Sequence, residues 1–392
     1  MKSILEMTIN EMAGVEFDCA CGRHHKLDIP HIAIGKGILP EILTMVAPFK
    51  GKKIFMVSDD NTFAAAGQKT LELLEGEGHE VKSFVFHTGS EMLIPDEKAL
   101  GRLFMELEPN TALIVAVGSG SINDMAKYTS ARTGIPYIIV CTVPSMDGYA
   151  SDGAPMICDG FKISFVAKLA YGIVGDTDIM KDAPMRMIQA GFGDVLGKAT
   201  ALAEWKMARE MVGEYYCDTI AQLVEKALQK AIDNAAGLAK REETAIRYLI
   251  EALTLTGVAM GLIGVSRPAS GAEHMLSHYW EMYYIAHNRF PEFHGIKVGI
   301  ATPIICQVFE LMADKMPAEA MEACPTRQQM EELLAVAGAP VLPTDIGIER
   351  ELFRESLIGA WKVRNRYSVL QAAVENERME EIADIITERI YG

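Results

Sequence analysis

In the first half of the chain, short apolar runs rich in β-branched residues alternate with amphipathic stretches. The runs predict four strands, at residues 52–57, 81–86, 111–117 and 136–142. A 3.6-residue apolar period predicts helices between them, at residues 62–76, 95–107 and 121–133. Residues 153–174 predict a hairpin and a last strand that runs to Gly175-Asp-Thr-Asp178. Strands that alternate with helices in this way are typical of a parallel sheet covered by helices.

The second half of the chain has a different pattern. From about residue 181 the strand signals stop, and long segments carry apolar residues at helical spacing, at 195–212, 218–238 and 242–264. Asp182-Ala-Pro184 is typical of a helix start. We therefore expect an α/β N-terminal domain over residues 1–180 and an all-α C-terminal domain over residues 181–392.

Composition excludes several classes of protein. The 392 residues carry a net charge of −16, which argues against nucleic acid or an anionic membrane as a partner. No apolar run approaches the roughly 20 residues of a membrane span, and the N-terminus lacks the pattern of a signal peptide. The seven cysteines are scattered, which favours reduced thiols over a disulfide framework. We therefore expect a cytoplasmic protein that binds neither nucleic acid nor membrane.

Three of the nine histidines, His274, His278 and His294, lie within 21 residues. Neutral imidazoles grouped on rigid elements are ligands for a divalent cation, and an open coordination position allows the metal to polarise a substrate oxygen. Gly191-Phe-Gly193-Asp194, which we place at a helix start, offers a carboxylate. An Asp with two His suits zinc, nickel or ferrous iron. From spacing alone, His274 and His278 could also chelate as a pair four residues apart on one helix.

A second candidate metal site is the segment Cys19-Ala-Cys21-Gly-Arg-His24-His25. Zinc sites built from such a segment normally need further ligands, usually a second cysteine pair. The sequence has no second pair, so we interpret the segment as a tight hairpin turn.

A glycine-containing turn follows the third predicted strand and opens a helix, and it reads Val117-Gly118-Ser119-Gly120-Ser121-Ile122-Asn123-Asp124. Glycines allow backbone amides to approach a pyrophosphate, and a helix N-terminus supplies positive potential. The third glycine of the usual dinucleotide fingerprint is missing, so an ordinary strand-to-helix turn is the alternative. Earlier, Asp59 follows another strand, where it could accept from a ribose hydroxyl or cap a helix.

The loop after the fourth strand, Thr142-Val143-Pro144-Ser145-Met-Asp147-Gly-Tyr-Ala-Ser151, combines hydroxyls with one carboxylate. Loops at the carboxyl ends of parallel strands are where α/β proteins bind ligands. The composition suits a small polyol or a nicotinamide ribose. The alternative is a Pro/Gly turn whose Asp folds onto its own backbone.

The ordered set GSGSxND, TVPSxDGxAS, GFGD, EHxxSH and a distal HG resembles the glycerol-1-phosphate dehydrogenases over nearly the whole chain. They belong to the superfamily of iron-type alcohol dehydrogenases, glycerol dehydrogenases and dehydroquinate synthases. The length and the cysteine-containing N-terminal extension are most similar to the bacterial AraM-type enzymes. The resemblance implies a dehydroquinate synthase-like fold, with a dinucleotide-binding N-terminal domain, a helical C-terminal domain and a metal in the cleft between them.

Carried over motif by motif, the resemblance implies a role for each site residue. The metal ligands would be Asp194, His274 and His294, for nickel, zinc or iron. Asp147 and His278 would contact substrate, and Asp194 would touch both metal and substrate. NAD(H), with NADP(H) as the alternative, would lie on Gly118, Gly120, Ser121, Ile122, Asn123 and Asp124, with Asp59, Thr142, Val143, Pro144, Ser145 and Ser151 nearby.

The implied reaction is the reversible reduction of dihydroxyacetone phosphate to sn-glycerol 1-phosphate, a small phosphorylated ketone and polyol pair, and we expect a homodimer. Candidates for holding the phosphate are Lys162, Lys168 and Arg267. Glycerol dehydrogenase is the nearest alternative, whereas dehydroquinate synthase has a Glu where this chain has Asp194. A different class of function would be a metal-dependent lyase or hydrolase that uses the GSGS turn for substrate phosphate.

Overall fold

The apolar runs of the first half form strands in a computed structural model that describes residues 2–89 and 91–392. The strands are β1 Glu16–Asp18, β2 His24–Lys26, β3 His31–Gly35, β4 Lys53–Asp59, β5 Glu80–Phe86, β6 Thr111–Gly118, β7 Tyr137–Cys141, β8 Gly153–Cys158, β9 Phe161–Val166 and β10 Gly172–Asp176. Six of them make one parallel sheet in the order β3-β10-β7-β6-β4-β5. Helices cover this sheet, and all five residues of β7 are buried.

The helices are α1 Ile42–Val46, α2 Asp60–Thr62, α3 Gln68–Gly76, α4 Glu97–Glu106, α5 Gly120–Thr133, α6 Thr177–Met180, α7 Met185–Val212, α8 Asp218–Asp233, α9 Ala235–Leu238, α10 Glu243–Ile263, α11 Ala272–Ala286, α12 His294–Leu311, α13 Ala318–Ala323, α14 Arg327–Val336, α15 Arg350–Gly359, α16 Val369–Glu375 and α17 Met379–Tyr391. A π-helical turn, Phe63–Gly67, joins α2 to α3. After β10, the described residues form helices and connections only, so the fold class is the predicted combination of a parallel sheet and a helical region.

The chain reverses direction across the sheet between β4 and β6. From β4 it continues to β5 at one edge, and then returns past β4 to β6 and β7 on the other side. Neighbouring connections therefore diverge between the carboxyl ends of β4 and β6. Such a switch point is where open α/β sheets bind their ligands. Asp59 and Gly118 end these two strands.

The four predicted strands and the hairpin of β8 and β9 are confirmed, as are the helices between the strands. Strand β3 (His31–Gly35) pairs with β10 at the edge of the sheet and was not predicted. Its five residues, His-Ile-Ala-Ile-Gly, are too few to stand out by period alone. The cysteine-containing segment forms the predicted hairpin turn between β1 and β2.

The expected helix start at Gly191–Asp194 is wrong. Helix α7 begins at Met185, directly after Pro184, so the Gly-Phe-Gly-Asp segment lies within the helix. The glycines serve close packing instead. A Cβ on Gly191 would lie 1.8 Å from the carbonyl oxygen of Pro144, and one on Gly193 would lie 2.2 Å from that of Gly295 in α12. Helices α7 and α12 therefore approach backbone to backbone.

One helix has the length and composition of a membrane span, which the inspection of apolar runs missed. It is α10, with 21 residues and a mean hydropathy of 1.5 over its most apolar window. Within the protein, 67% of that window is buried. Helix α10 packs against α8 and α7, as the core helix of a globular region does.

Candidate active site

Three helices bring the predicted metal ligands together. Asp194 lies within α7, His274 near the start of α11, and His294 is the first residue of α12. One ligand atom from each lies within 4.8 Å of the others. His274 Nε2 is 3.6 Å from Asp194 Oδ1, and the rings of His274 and His294 have centroids 5.1 Å apart. Because the three sit on separate rigid helices, their grouping is a property of the packing.

Glu273 sets the tautomer of His274. The Nδ1–H of His274 donates to Glu273 Oε1 at 2.7 Å, so its Nε2 lone pair faces Asp194. Glu273 is itself held by the Gly271 amide at 2.6 Å and by the Thr200 hydroxyl at 2.8 Å. A carboxylate behind a histidine in this way orients the ring and makes the outward nitrogen a better ligand.

The ionisation states suit metal binding. Burial by itself would raise the pKa of Asp194, but the ammonium group of Lys198 outweighs it and holds the pKa well below its ordinary value. Burial lowers the pKa of His294 well below its ordinary value. Asp194 is therefore an anion and His294 a neutral imidazole, which are the forms that bind a cation.

A buried lysine completes the cluster. Nζ of Lys198 lies 2.7 Å from Asp194 Oδ1 and 2.7 Å from Asp147 Oδ2, and it also donates to the Ala269 carbonyl at 3.1 Å. Burial lowers the pKa of Lys198, but the two carboxylates outweigh it and raise the pKa above its ordinary value. Burial, followed by repulsion from Asp194, raises the pKa of Asp147.

His278 lies beside the cluster with both of its ring nitrogens facing other groups. Its Nε2 is 3.0 Å from the Arg364 guanidinium, and its Nδ1 is 3.4 Å from Glu281 Oε2. Burial lowers the pKa of His278 to about 3, so the ring is neutral. His278, Glu281 and His294 also offer ligand atoms within 4.8 Å of one another, so the geometry alone permits a second set of donors that shares His294.

Cations surround this side of the site. Lys162 bonds both oxygens of Glu281 at 2.9 Å, and Lys297 lies 3.5 Å from the same carboxylate. Arg364 donates to Ser270 Oγ at 3.0 Å and forms no ion pair with a described carboxylate. Of the other candidates for phosphate binding, Lys168 is exposed. Arg267 is buried, and it bonds the carbonyls of Glu204 and Tyr367.

The GSGS turn lies at the centre of the sheet. Gly118 ends β6, Ser119 occupies the N-cap position of α5 without a capping hydrogen bond from its side chain, and Gly120 is the first helical residue, followed by Ser121. A Cβ on Gly118 would lie 2.6 Å from that of Ile122, whose side chain is buried. The turn therefore has the placement of a phosphate-binding turn at a helix N-terminus.

The next polar residues of α5 face inward. Asn123 is buried and donates to the Gly148 carbonyl at 3.2 Å, and Asp124 lies 3.6 Å from the buried Lys127. Lys127 donates to the carbonyls of Gly148 and Gly153 and lies 3.4 Å from Ser151 Oγ. These side chains tie α5 to the second loop, and a contact of Asn123 or Asp124 with a dinucleotide stays a prediction.

The second loop joins the turn to the metal ligands. The Thr142 amide donates to the Gly118 carbonyl at 3.1 Å, and Val143 accepts from the buried Tyr149 hydroxyl at 2.8 Å. Pro144 packs on Gly191, and Ser145 is buried. The Asp147 amide donates to Asp194 Oδ2 at 3.0 Å. The loop therefore connects the GSGS turn, where a dinucleotide is expected, to Asp194, where a metal is expected.

Asp59 caps a helix, which is one of its two predicted roles. Its Oδ1 accepts from the Thr62 amide at 2.8 Å, while the Thr62 hydroxyl accepts from the Asp59 amide. Asp59 is only partly buried. The neighbouring Asp60 binds His87 and the amides of Thr88 and Gly89 instead.

Comparison with known proteins identifies the family. The iron-containing alcohol dehydrogenase family matches residues 33–184. The chain is 32% identical to a glycerol-1-phosphate dehydrogenase [NAD(P)+] of Geobacillus stearothermophilus, over 93% of this chain and 98% of that protein. It is 34% identical to the protein of the same name from Halalkalibacterium halodurans, with coverages of 92% and 96%. The chain belongs to the glycerol-1-phosphate dehydrogenase family. The glycerol-1-phosphate dehydrogenase [NAD(P)+] of Methanosarcina barkeri is 31% identical to this chain, and the match covers 90% of this chain and 94% of that protein.

Solved structures confirm the fold of this glycerol-1-phosphate dehydrogenase family member. Glycerol dehydrogenase from Schizosaccharomyces pombe superposes with a TM-score of 0.67 at 21% identity, and covers 91% of this chain and 90% of its own. Maleylacetate reductase from Rhizobium sp. strain MTP-10005 gives 0.68 at 14% identity, with coverages of 90% and 94%. At these identities the likeness concerns the fold alone.

Membership of this dehydrogenase family supports NAD(P) and a metal as cofactors, and the residues present fit a metal. One buried anionic carboxylate and two imidazoles converge, and the tautomer of His274 is fixed for ligation. Sequence reasoning missed Glu273, Lys198 and Arg364. Lys198 follows Asp194 by one helical turn, a spacing that the sequence contains. Arg364 had no local signal, because it lies 86 residues from His278.

Proposed function

We propose that this chain catalyses the reversible reduction of dihydroxyacetone phosphate by NADH or NADPH to sn-glycerol 1-phosphate. Hydride from the nicotinamide forms the new C–H bond, a proton adds to the carbonyl oxygen, and NAD(P)⁺ is released. The observation that carries the proposal is the convergence of Asp194, His274 and His294 in a chain of this family.

We propose Asp194, His274 and His294 as the ligands of one divalent metal. When bound, the metal supplies Lewis-acid polarisation of the substrate ketone. Nickel, zinc and iron all accept this set of donors. Glu273 keeps the ring of His274 oriented, and Lys198 holds the carboxylates of Asp147 and Asp194 side by side.

Arg364 is our proposed anchor for the substrate phosphate. It is a partly exposed guanidinium next to His278, it has no described carboxylate partner, and a planar fork of donors suits a phosphate. Lys162 and Lys297 share Glu281, so their charge is partly neutralised. Arg267 is buried, bonds the carbonyls of Glu204 and Tyr367 and lies 3.0 Å from Glu214 Oε1, so it has a structural role instead.

His278 and Asp147 are the groups that we propose to contact the substrate and to move the proton. His278 lies between Arg364 and the ring of His294, whose centroid is 5.3 Å away. Asp147 shares Lys198 with Asp194. Both are close enough to the ligand set to touch a bound ketone, while neither belongs to it.

The dinucleotide supplies the hydride, and we propose that it lies over the switch point of the sheet. Support comes from the placement of the GSGS turn at the N-terminus of α5, with Asp59 at the end of the adjacent strand β4. A carboxylate beside the ribose would disfavour the additional phosphate of NADPH, so we propose NADH as the preferred donor. A cytoplasmic homodimer is also part of the proposal, and for location its support is membership of this dehydrogenase family.

The test is an assay of purified protein, loaded with nickel or zinc, with dihydroxyacetone phosphate and each reduced dinucleotide. We expect dinucleotide oxidation with sn-glycerol 1-phosphate as product, identified with enzymes specific for each enantiomer. The sn-3 enantiomer as product would contradict the proposal. Faster oxidation of free glycerol than of glycerol 1-phosphate would favour glycerol dehydrogenase, and phosphate release without dinucleotide oxidation would favour a hydrolase or lyase.

A further inference from the structure

The N-terminal hairpin meets a distant cysteine at a second cluster of metal-binding side chains. Cys19 and Cys21 lie in the turn between β1 and β2, His25 lies on β2, and Cys217 precedes α8. One atom from each of the four lies within 4.8 Å of the others. Cys19 and Cys217 are 198 residues apart in the chain, yet their sulfur atoms are 3.6 Å apart.

We propose that Cys19, Cys21, His25 and Cys217 form a zinc site that holds the N-terminal hairpin against the helical region. This cys-his cluster, as we name these four residues, is separate from the active site and does not depend on the proposed function. Three sulfurs and one imidazole are a donor set typical of tetrahedral structural zinc.

The distances within the cys-his cluster match tetrahedral coordination. With zinc–sulfur bonds of about 2.3 Å and zinc–nitrogen bonds of about 2.0 Å, a tetrahedron places two sulfurs about 3.8 Å apart and sulfur and nitrogen about 3.5 Å apart. The Cys19–Cys217 sulfur pair is at 3.6 Å. His25 Nε2 lies 3.3 Å from Cys21 Sγ and 3.6 Å from Cys217 Sγ.

The histidine is prepared for ligation. His25 Nδ1 lies 2.8 Å from the Leu262 carbonyl oxygen, and because a carbonyl only accepts, Nδ1 carries the proton. The Nε2 lone pair therefore faces the sulfurs. His25 is buried, whereas the adjacent His24 points outward to Asp18 at 2.9 Å, as alternation along a strand requires.

Neighbouring hydroxyls suit thiolates. The Tyr215 hydroxyl donates to Cys21 Sγ at 3.1 Å, whereas the Cys19 thiol donates to the Thr219 hydroxyl at 3.4 Å, and this hydroxyl can turn to donate when the sulfur is a thiolate. Donors behind thiolate ligands are the usual outer contacts of a metal site. His25 and Cys217 are buried, and Cys19 and Cys21 are partly exposed, so an ion can enter from the surface. All four protein positions are filled, which is typical of a structural site.

Cobalt distinguishes this site from the active site. We would remove metal from the reduced full-length protein and titrate it with Co²⁺. Thiolate-to-cobalt charge-transfer absorption should grow to about one equivalent per chain, and Zn²⁺ should abolish it. The active-site donors are only oxygen and nitrogen, so they contribute nothing to this absorption. The His294→Ala variant should keep the full band, whether or not the proposed activity is correct.

Matched variants locate the ligands. Cys217→Ser and His25→Ala should each lose or strongly weaken the band, and should lower zinc content by about one equivalent. His24→Ala, on the outward face of the same strand, and Cys324→Ser, a partly exposed cysteine outside the cluster, should keep both.

Two results would overturn the proposal. One is a reduced parent protein that develops no thiolate band with Co²⁺, a measurement that needs no variant to fold. The other is a Cys19–Cys217 disulfide in protein purified without reductant, together with no zinc uptake after reduction. That result would make the pair a redox site instead.

Discussion

Nζ of Lys198 lies 2.7 Å from Oδ1 of Asp194, and both side chains are fully buried one helical turn apart in α7. The lysine therefore places a positive charge against a carboxylate that we assign to the metal. It holds Asp147 in the same way, so two acids share one ammonium group. Without metal, Lys198 alone balances the negative charge of the two carboxylates, and with metal bound, Lys198 and the metal ion balance it together.

Lys198→Met should test this balance. Removal of one partner from a buried ion pair typically costs about 3–5 kcal/mol, so the variant should unfold at a lower temperature than the parent. A divalent metal should then restore more stability in the variant than in the parent, because it binds Asp194 and places a positive charge near Asp147, and both carboxylates have lost their ammonium partner. Thermal unfolding with and without nickel or zinc measures both effects. The control is Lys206→Met, also in α7, which breaks a surface pair with Glu225 of α8. An equal metal effect in parent and variant would contradict this view.

Alanine at Asp194, His274 or His294 should each lower metal content by about one equivalent and nearly abolish turnover. Three protein ligands leave no redundancy, since the fourth position is needed for substrate. Metal analysis of the purified variants, with the assay described above, is the measurement. Normal metal content and rate in the His294→Ala protein would exclude this residue as a ligand.

His278→Ala should separate substrate contact from metal binding. We expect metal content near that of the parent and a fall in kcat/KM of about 10²–10⁴, the usual range for loss of a proton-transferring group. Arg364 donates to Nε2 of His278, which gives this nitrogen a partner other than the metal. His287→Ala, which removes an exposed histidine just after α11, should leave both quantities unchanged. Loss of metal along with activity would make His278 a ligand in the set with Glu281.

Gly295→Ala should destabilise the protein. A Cβ at this position would lie 1.9 Å from the carbonyl oxygen of Ala190, so α12 and α7 would have to move apart. Overpacking of this kind typically costs about 1–3 kcal/mol, and His294 next to it should bind metal less tightly. Gly101→Ala in α4 is the control, because beyond its own helical backbone and chain neighbours a Cβ there would have open space. That change should stabilise by roughly 0.5–1 kcal/mol in denaturant unfolding. Equal effects of the two substitutions would show that the helix crossing tolerates a methyl group.

Asp124→Asn should change how stability depends on pH. Burial raises the pKa of Asp124 to about 6, although Lys127 opposes the shift. A raised folded-state pKa means that the contribution of this group to stability is complete below the unfolded pKa of about 4 and is lost as pH rises through 6. Relative to the parent, the variant should therefore gain up to about 3 kcal/mol between pH 4 and pH 7, at 1.36 kcal/mol per pKa unit.

Denaturant unfolding of parent and variant without dinucleotide, at several pH values, measures this difference. The comparison isolates Asp124 because all other groups titrate in both proteins. A difference that stays constant from pH 4 to pH 7 would contradict the raised pKa.

Patterns within short stretches of sequence determined most of the strands and helices of the first half and several of the candidate site residues. The periods of apolar residues predicted the strands from β4 to β7 and the helices between them, because side-chain direction repeats every two residues in a strand and every 3.6 in a helix. The Gly118–Asp124 turn and the pair His274 and His278 were also visible, since each lies within a few residues of sequence. The order of the five motifs along the chain was enough to indicate the family.

Only the tertiary structure decided which distant groups meet. Asp147 and Asp194 share Lys198, and Arg364 reaches His278, because helix packing brings separate segments to one place. The glycines of α7 were mistaken for a helix start, since close approach to α12 leaves no local pattern. Cys217 completes a cluster that the N-terminal segment alone could not complete. Sequence spacing specifies neighbours within an element, whereas contacts between elements depend on how buried surfaces fit together.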